Sequence, residues 1–343
     1  MAWLEMLHGG LMTTVQDAGR PGFARMGLAP AGAMDTEMLA AANVLVGNPP
    51  GAAALEVTLD GPVFTVHGEA ILALAAVDGE WFVSGPEQPL PLWETVLVRD
   101  GSLIAVGAVR AGARAYLAVA GGVDVPPVMG SRSTHVRARI GGLDGRPLSA
   151  GDRVPIGPSP RPCEELLGRR VPPELRPARR AGPIRVMLGP QDDAFTPRGL
   201  RTFLHSAFRV TARGDRMGVR LMGPPIEARR GYDIVSDATA PGSIQVSGDG
   251  QPIVLLAERP TTGGYPKIAT VIGADLDAMG QVRPGQHVRF LSVDEAAARR
   301  AREERRRRLA EIERALARQR PERGGAFVVS TDAAVYYVHR EAG

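Results

Sequence analysis

PGSIQVSGDGQPIVLLAERPTTGGYPKIATVIGADL, residues 241–276, contains two short apolar runs, IQVSG and PIVLLAE, separated by a glycine-rich turn and followed by a second glycine-rich loop. Runs of this length, broken by Gly, Asp and Pro, read as β-strands joined by turns. The stretch has an echo upstream. Gly101-SLIAVGAVRAGARAYLAVAGG-Val123 overlays Gly242-SIQVSGDGQPIVLLAERPTTGG-Tyr265, with Gly-Ser opening both and Gly-Gly closing both. LDGP at 59–62 likewise matches LMGP at 221–224, and SAGDRVPI at 149–156 matches RPGQHVRF at 283–290. Three matches in the same order predict a duplicated β-barrel.

The rest of the chain extends this reading. LEVTL, VFTVHG, AILALAAV, ETVLVRD, SLIAVGAV and ARAYLAVAG read as strands in the first half, and IRVMLG, FRVTAR and HVRFLSV join the opening pair in the second. The chain has 343 residues, and single cores stop growing at roughly 250–300. Two domains are therefore expected: a first β-barrel over 1–157, a Pro/Arg-rich linker over 158–183 and a second barrel over 184–291. MDTEMLAAANVLVG predicts one early helix, with Asp35 placed to cap it and Gly47 to end it.

Formal net charge is +4, and residues 293–323 supply it with eleven arginines against seven acids. That segment is rich in Ala, Glu and Arg, which predicts a charged helix over 292–323. No aromatic residues interleave its arginines, so nucleic acid is not the expected partner. FVVSTDAAVYYVH, within 324–343, alternates like one more strand. Cys163 is the only cysteine, and the longest fully apolar run, AILALAAV at 70–77, is too short for a bilayer. These features predict a cytoplasmic protein with no membrane span.

The chain has one lysine, Lys267, among 41 basic residues. A compact ammonium with three donors is not equivalent to a guanidinium, so chemistry is one reason for its retention and chance is the other. TTGGYPK, residues 261–267, sets Thr261, Thr262, Gly263, Gly264 and Tyr265 beside it. Adjacent glycines let backbone N–H groups approach an anion, which suits a carboxylate or phosphate cradle. The alternative is a β-turn with Tyr265 packed and Lys267 solvated. GDRMG offers Asp215 and Arg216, whose fork suits a substrate carboxylate unless the pair only fixes a turn. Gln245 and Ser247 alternate onto one strand face, to bind an amide or to face solvent.

In the first half, TTVQDAGR supplies Thr13, Thr14, Gln16, Asp17 and Arg20, followed by Asp35. These are read either as ligand-binding groups or as buried structural ties. Arg132 and Ser133, in GSRST at 130–134, suit an anion nest or an interface loop. The six histidines, at 8, 67, 135, 205, 287 and 339, have no ligand spacing, so no metal site is expected. There is no GxxxxGK[ST] run and no GxSxG elbow.

Several of these motifs resemble the carboxyltransferase A/B-subdomain family: GLMTTVQDAGRPGFARMGLAPAGAMD (10–35), NVLVGNPPGAAALEVTLDGP (43–62), GGVDVPPVMGSRST (121–134), DRMGVRLMGP (215–224), residues 241–276 and RPGQHVRF (283–290). Members of that family include a 5-oxoprolinase subunit, proteins called allophanate hydrolase subunit 2, the antagonist of a sporulation-kinase inhibitor and part of urea carboxylase. The resemblance implies cyclophilin-like β-barrels, a C/D-subdomain partner and a third subunit that together open 5-oxoproline to glutamate with ATP. Lys267 and Arg216 would then hold a carboxylate or phosphorylated intermediate, while Thr261 and Gln245 position the lactam. The resemblance also admits carboxyl transfer from biotin, carried on another protein, to urea, or a regulatory subunit without chemistry. Gly214, Ser247, Glu258 and Pro260 depart from the serine, proline, aspartate and glutamine expected there.

Overall fold

The computed structural model describes residues 2–83, 88–177, 182–319, 326–329 and 335–338. The fold is mainly β, as the turn-punctuated sequence predicts, with a long helix Glu295–Arg318 near the C-terminus. Two compact units are present. The first comprises Met1–Gly19, Thr36–Ala178 and Arg307–Gly343, and the second comprises Arg20–Asp35 and Arg179–Arg306. Residues 20–35 thus belong with the second unit although they lie within the first half of the sequence.

The first unit holds a six-stranded and a seven-stranded sheet. Trp3–His8 shows why the strands pack: Leu4 and Met6 are buried while Trp3 and Glu5 between them are only partly covered, a period-two pattern with one face in the core. Leu4, Met6, Phe64, Trp81, Ile104 and Leu117 contribute to that core. Ala326–Val329 adds parallel to Val96–Val98 and pairs antiparallel with Val335–Val338, so the alternating C-terminal stretch contributes two strands. The other residues of 324–343 lie outside the described set.

The eight-stranded sheet of the second unit is a nearly closed barrel. Its order runs from His287–Val288 through 208–210, 218–222, 252–255, 243–246, 267–271 and 184–188 to Phe290–Ser292. The first and last members are separated in the chain by Arg289 alone, so the two edges of the sheet are carried by one short stretch. Closure removes exposed sheet edges. Phe203, Phe208 and Phe290 meet inside, with the Phe203 and Phe290 rings stacked at 4.7 Å.

Three expectations need adjustment. The echoed segments do not pair alike: Ser243–Val246 and Pro252–Leu255 are neighbours, whereas Leu103–Ala111 and Arg114–Val119 lie in different sheets. The proline-rich stretch is built into the first unit as far as Val171, since Leu166 and Val171 are fully buried and the Thr95 amide donates to the Arg169 carbonyl. Residues 178–181 of that stretch lie outside the described residues. The charged helix, expected over 292–323, runs over Glu295–Arg318. Ile312 and Leu316 are buried, Arg308 pairs with Glu37 at 2.9 Å, and Arg305 pairs with Asp277 at 2.7 Å. No described helix is long and apolar enough to cross a membrane.

Candidate functional site

The site is built where the strand Lys267–Val271 meets Ser243–Val246. These strands pair antiparallel, and a register irregularity between Ile244 and Gln245 sets Gln245 opposite Lys267. Immediately before Lys267 the chain forms a small ribbon, in which Asp237 and Ala238 pair with Gly263 and Thr262. Gly263 lies against Gln245. A Cβ on Gly263 would overlap the side-chain amide of Gln245.

Lys267 is neither solvated nor open-handed. Its residue exposure is 1%, and Nζ donates to Asp237 Oδ2 at 2.9 Å. Gln191 locks the pair. Its Nε2 donates to the same carboxylate at 3.1 Å, its Oε1 accepts the Lys267 amide at 3.1 Å, and its own amide donates to the Lys267 carbonyl. The hydrogen bond from Lys267, followed by those from the Ala238 amide and Gln191, holds the Asp237 carboxyl below the ordinary aspartate range. Asp237 itself is half exposed. An ammonium has three donors, so two N–H groups of Lys267 have no protein acceptor among the described residues.

Gln245 complements that ammonium. It is 5% exposed, and its Nε2 donates to the Tyr265 carbonyl at 3.3 Å. Its Oε1 makes no hydrogen bond to a described residue. Two adjacent strands thus offer a buried donor and an amide acceptor. A lactam or urea presents the converse pair, a carbonyl oxygen beside an N–H. Thr262 and Tyr265 are exposed, and the Thr261 carbonyl accepts the Thr239 amide, so its backbone fixes the ribbon.

The other candidates from the sequence do not join this group. Arg216 is buried and closed off: Nε donates to Glu258 Oε1 at 2.5 Å and Nη2 to the Gly32 carbonyl at 2.6 Å. It serves as an internal tie, and the carboxylate it binds is the protein's own. Asp215 fixes the turn by accepting the Met217 and Gly218 amides. Ser247 donates to Asp249 and to the Gln251 carbonyl, locking its turn, so it does not act with Gln245. Asp35 is buried and accepts from Gln281 at 2.8 Å, while Arg20 is buried in the same unit.

In the first unit, Asp17 organises the GSRST loop. Its carboxylate accepts from the Ser131 and Ser133 hydroxyls and from the Arg132 and Gly19 amides. Gln16 donates to Thr14 and to the Thr134 carbonyl, and Thr13 and Thr14 are buried. Asp17 therefore occupies the Arg132 amide, and the Ser131 hydroxyl the Ser133 amide, that an incoming anion would need. Arg132 turns outward to Asp124 at 2.8 Å. Among the described residues no group of three or more His, Cys, Asp or Glu is placed to hold a metal.

Sequence reasoning misses Asp237 and Gln191. Neither sits in a recognisable motif, and they lie 30 and 76 residues from the lysine they hold. Only the strand pairing brings them together.

A mainly β fold with this loop defines a class. Residues 26–292 match the family described as carboxyltransferase domain, subdomain A and B, and the chain belongs to that family. Among its relatives, a 5-oxoprolinase subunit of Escherichia coli is 37% identical over 310 residues, covering 89% of this chain and 96% of that protein. Urea amidolyase of Saccharomyces cerevisiae is 34% identical over 316 residues, which is 86% of this chain but 17% of that one. The crystal structure of the K. lactis urea amidolyase superposes with a TM-score of 0.84 at 29% identity, covering 98% of this chain and 21% of that one. This chain thus spans nearly all of the bacterial protein and about a fifth of the yeast enzyme.

Proposed function

We propose that the chain is the carboxyltransferase A/B-type subunit of an ATP-dependent 5-oxoprolinase, acting with a C/D-subdomain partner and a third subunit in the cytoplasm. The observation that carries the reading is the Lys267 and Gln245 pair on adjacent strands. Lys267 donates to the lactam carbonyl and stabilises the negative charge that grows on that oxygen as a nucleophile adds to the carbonyl carbon, before the ring C–N bond breaks and its nitrogen takes up a proton. The Gln245 amide oxygen accepts the lactam N–H and sets the ring's orientation. Asp237 and Gln191 fix the ammonium in position, and the glycines at 263 and 264 leave room for the substrate. ATP is consumed by the assembly, and this chain has no P-loop.

The near-complete coverage of the bacterial 5-oxoprolinase subunit supports this substrate, while the fold likeness to urea amidolyase favours a second reading, carboxyl transfer to urea. In that case biotin rides on another protein, because the one lysine here is buried on Asp237 and unsuited to carry it. A regulatory subunit without chemistry is the third reading.

The test is 5-oxoproline-dependent ATP hydrolysis by the reconstituted assembly with Lys267→Arg and Gln245→Leu. Loss of one charge-stabilising donor lowers turnover by roughly 10²–10³-fold. Both variants are expected to assemble normally with turnover reduced in that range. Full turnover in an assembled Lys267→Arg complex would remove the lysine from the chemistry.

A further inference from the structure

Arg259 opens the loop that leads to Lys267, directly after the Arg216-bound Glu258, and it is 5% exposed. Its neighbours leave it unpaired. Nε reaches the Thr239 carbonyl at 3.4 Å, a long contact, and Nη1 is sealed from solvent without an acceptor among the described residues. Nη2 has no acceptor among the described residues either. Two other buried arginines are matched with acids, Arg216 with Glu258 and Arg114 with Glu56, and the partly buried Arg185 pairs with Asp275. No described carboxylate forms such a pair with Arg259.

Burying a charge without a counter-charge or full hydrogen bonding is unfavourable, and a bound anion would relieve that cost at Arg259. Desolvation alone holds the Arg259 pKa below the usual guanidinium value, in agreement with that geometry. The position is informative as well. Thr239, whose carbonyl faces Arg259, follows Asp237 by two residues, donates its hydroxyl to the Pro260 carbonyl at 2.5 Å and its amide to the Thr261 carbonyl. Arg259 therefore packs against the same ribbon that carries the Lys267 partner.

We infer that Arg259 is the anchor for a carboxylate on the ligand of this site. This rests on the lactam reading above and sharpens it: a lactam bearing a carboxylate satisfies Lys267, Gln245 and Arg259, whereas urea leaves Arg259 without its anion. With Nε on the Thr239 carbonyl and Nη1 sealed, Nη2 is the donor left for a charge-assisted hydrogen bond to the carboxylate.

The experiment is calorimetric titration of the full chain, alone and in its assembly, with 5-oxoproline, 2-pyrrolidinone, acetate and inorganic phosphate. Wild type is compared with Arg259→Met and Arg259→Lys. Arg259→Met is expected to weaken 5-oxoproline and acetate by about 10- to 100-fold, the range for losing a charged hydrogen bond, and to leave the uncharged 2-pyrrolidinone unchanged. Arg259→Lys recovers part of the loss. The ligand-free Arg259→Met protein is expected to melt no lower than wild type, because an unpaired buried charge has been removed. Equal losses for both lactams would show a structural role and overturn the inference, as would unchanged 5-oxoproline binding, Arg259-dependent binding of phosphate instead of carboxylate, or no carboxylate binding to wild type. Arg259-dependent acetate binding without any binding of 5-oxoproline would keep the anchor and defeat the lactam reading.

Discussion

Asp237 sets the behaviour of Lys267 with pH. Its folded-state carboxyl is depressed below the ordinary aspartate value, chiefly by the Lys267 hydrogen bond, so the pairing is fully present above that ordinary value. It is lost only as pH falls through the depressed folded value. Carboxyl NMR on the isolated chain checks this: Asp237 is expected to titrate below the usual aspartate range in wild type and to move upward in Lys267→Met. An unmoved midpoint would mean that Lys267 does not hold the carboxylate in solution. The lone lysine is conspicuous in the sequence because every other basic residue is arginine. Arg259 is hidden for the converse reason, being one arginine among forty.

The ribbon formed by 237–238 and 262–263 depends on Gly263 lying against Gln245. Gly263→Ala drives its methyl into the far end of a flexible side chain and not into backbone. The fold is therefore expected to lose no more than about 1 kcal/mol, within the range of ordinary substitutions. Turnover should fall at least about tenfold because Gln245 is pushed from its acceptor position opposite Lys267. Denaturant unfolding and steady-state kinetics on one preparation separate the two effects. Equal turnover would show that the Gln245 amide does not touch the substrate. At this scale most strands are legible: LEVTL, AILALAAV and IRVMLG appear as Ala54–Thr58, Ala70–Ala75 and Ile184–Leu188. Others are obscured by polar residues. Met12–Gln16, with Thr13, Thr14 and Gln16 all buried in a sheet, reads from sequence either as a binding motif or as a structural tie, because the loop that Gln16 ties down lies more than a hundred residues away.

Across the whole molecule, the residue pattern displays mainly β structure and a charged C-terminal helix but not how the strands close. Closure of the second unit depends on Arg289 joining two strands at opposite ends of one sheet order, a long-range arrangement that no local pattern announces. The same limit explains the site: the loop at 261–267 is visible in the sequence, whereas its counter-ion Asp237 and the tied-down state of Arg216 are not. Substrate choice also belongs to this scale. The carboxylate anchor proposed at Arg259 would, with Lys267 and Gln245, select 5-oxoproline over urea. The most direct measurement is ATP hydrolysis by the wild-type chain assembled with its C/D-subdomain partner and third subunit, with each compound supplied alone. Hydrolysis stimulated by 5-oxoproline, with stoichiometric glutamate and no response to urea, is the predicted result. Stimulation by urea in the presence of a biotin carrier, with none by 5-oxoproline, would contradict it.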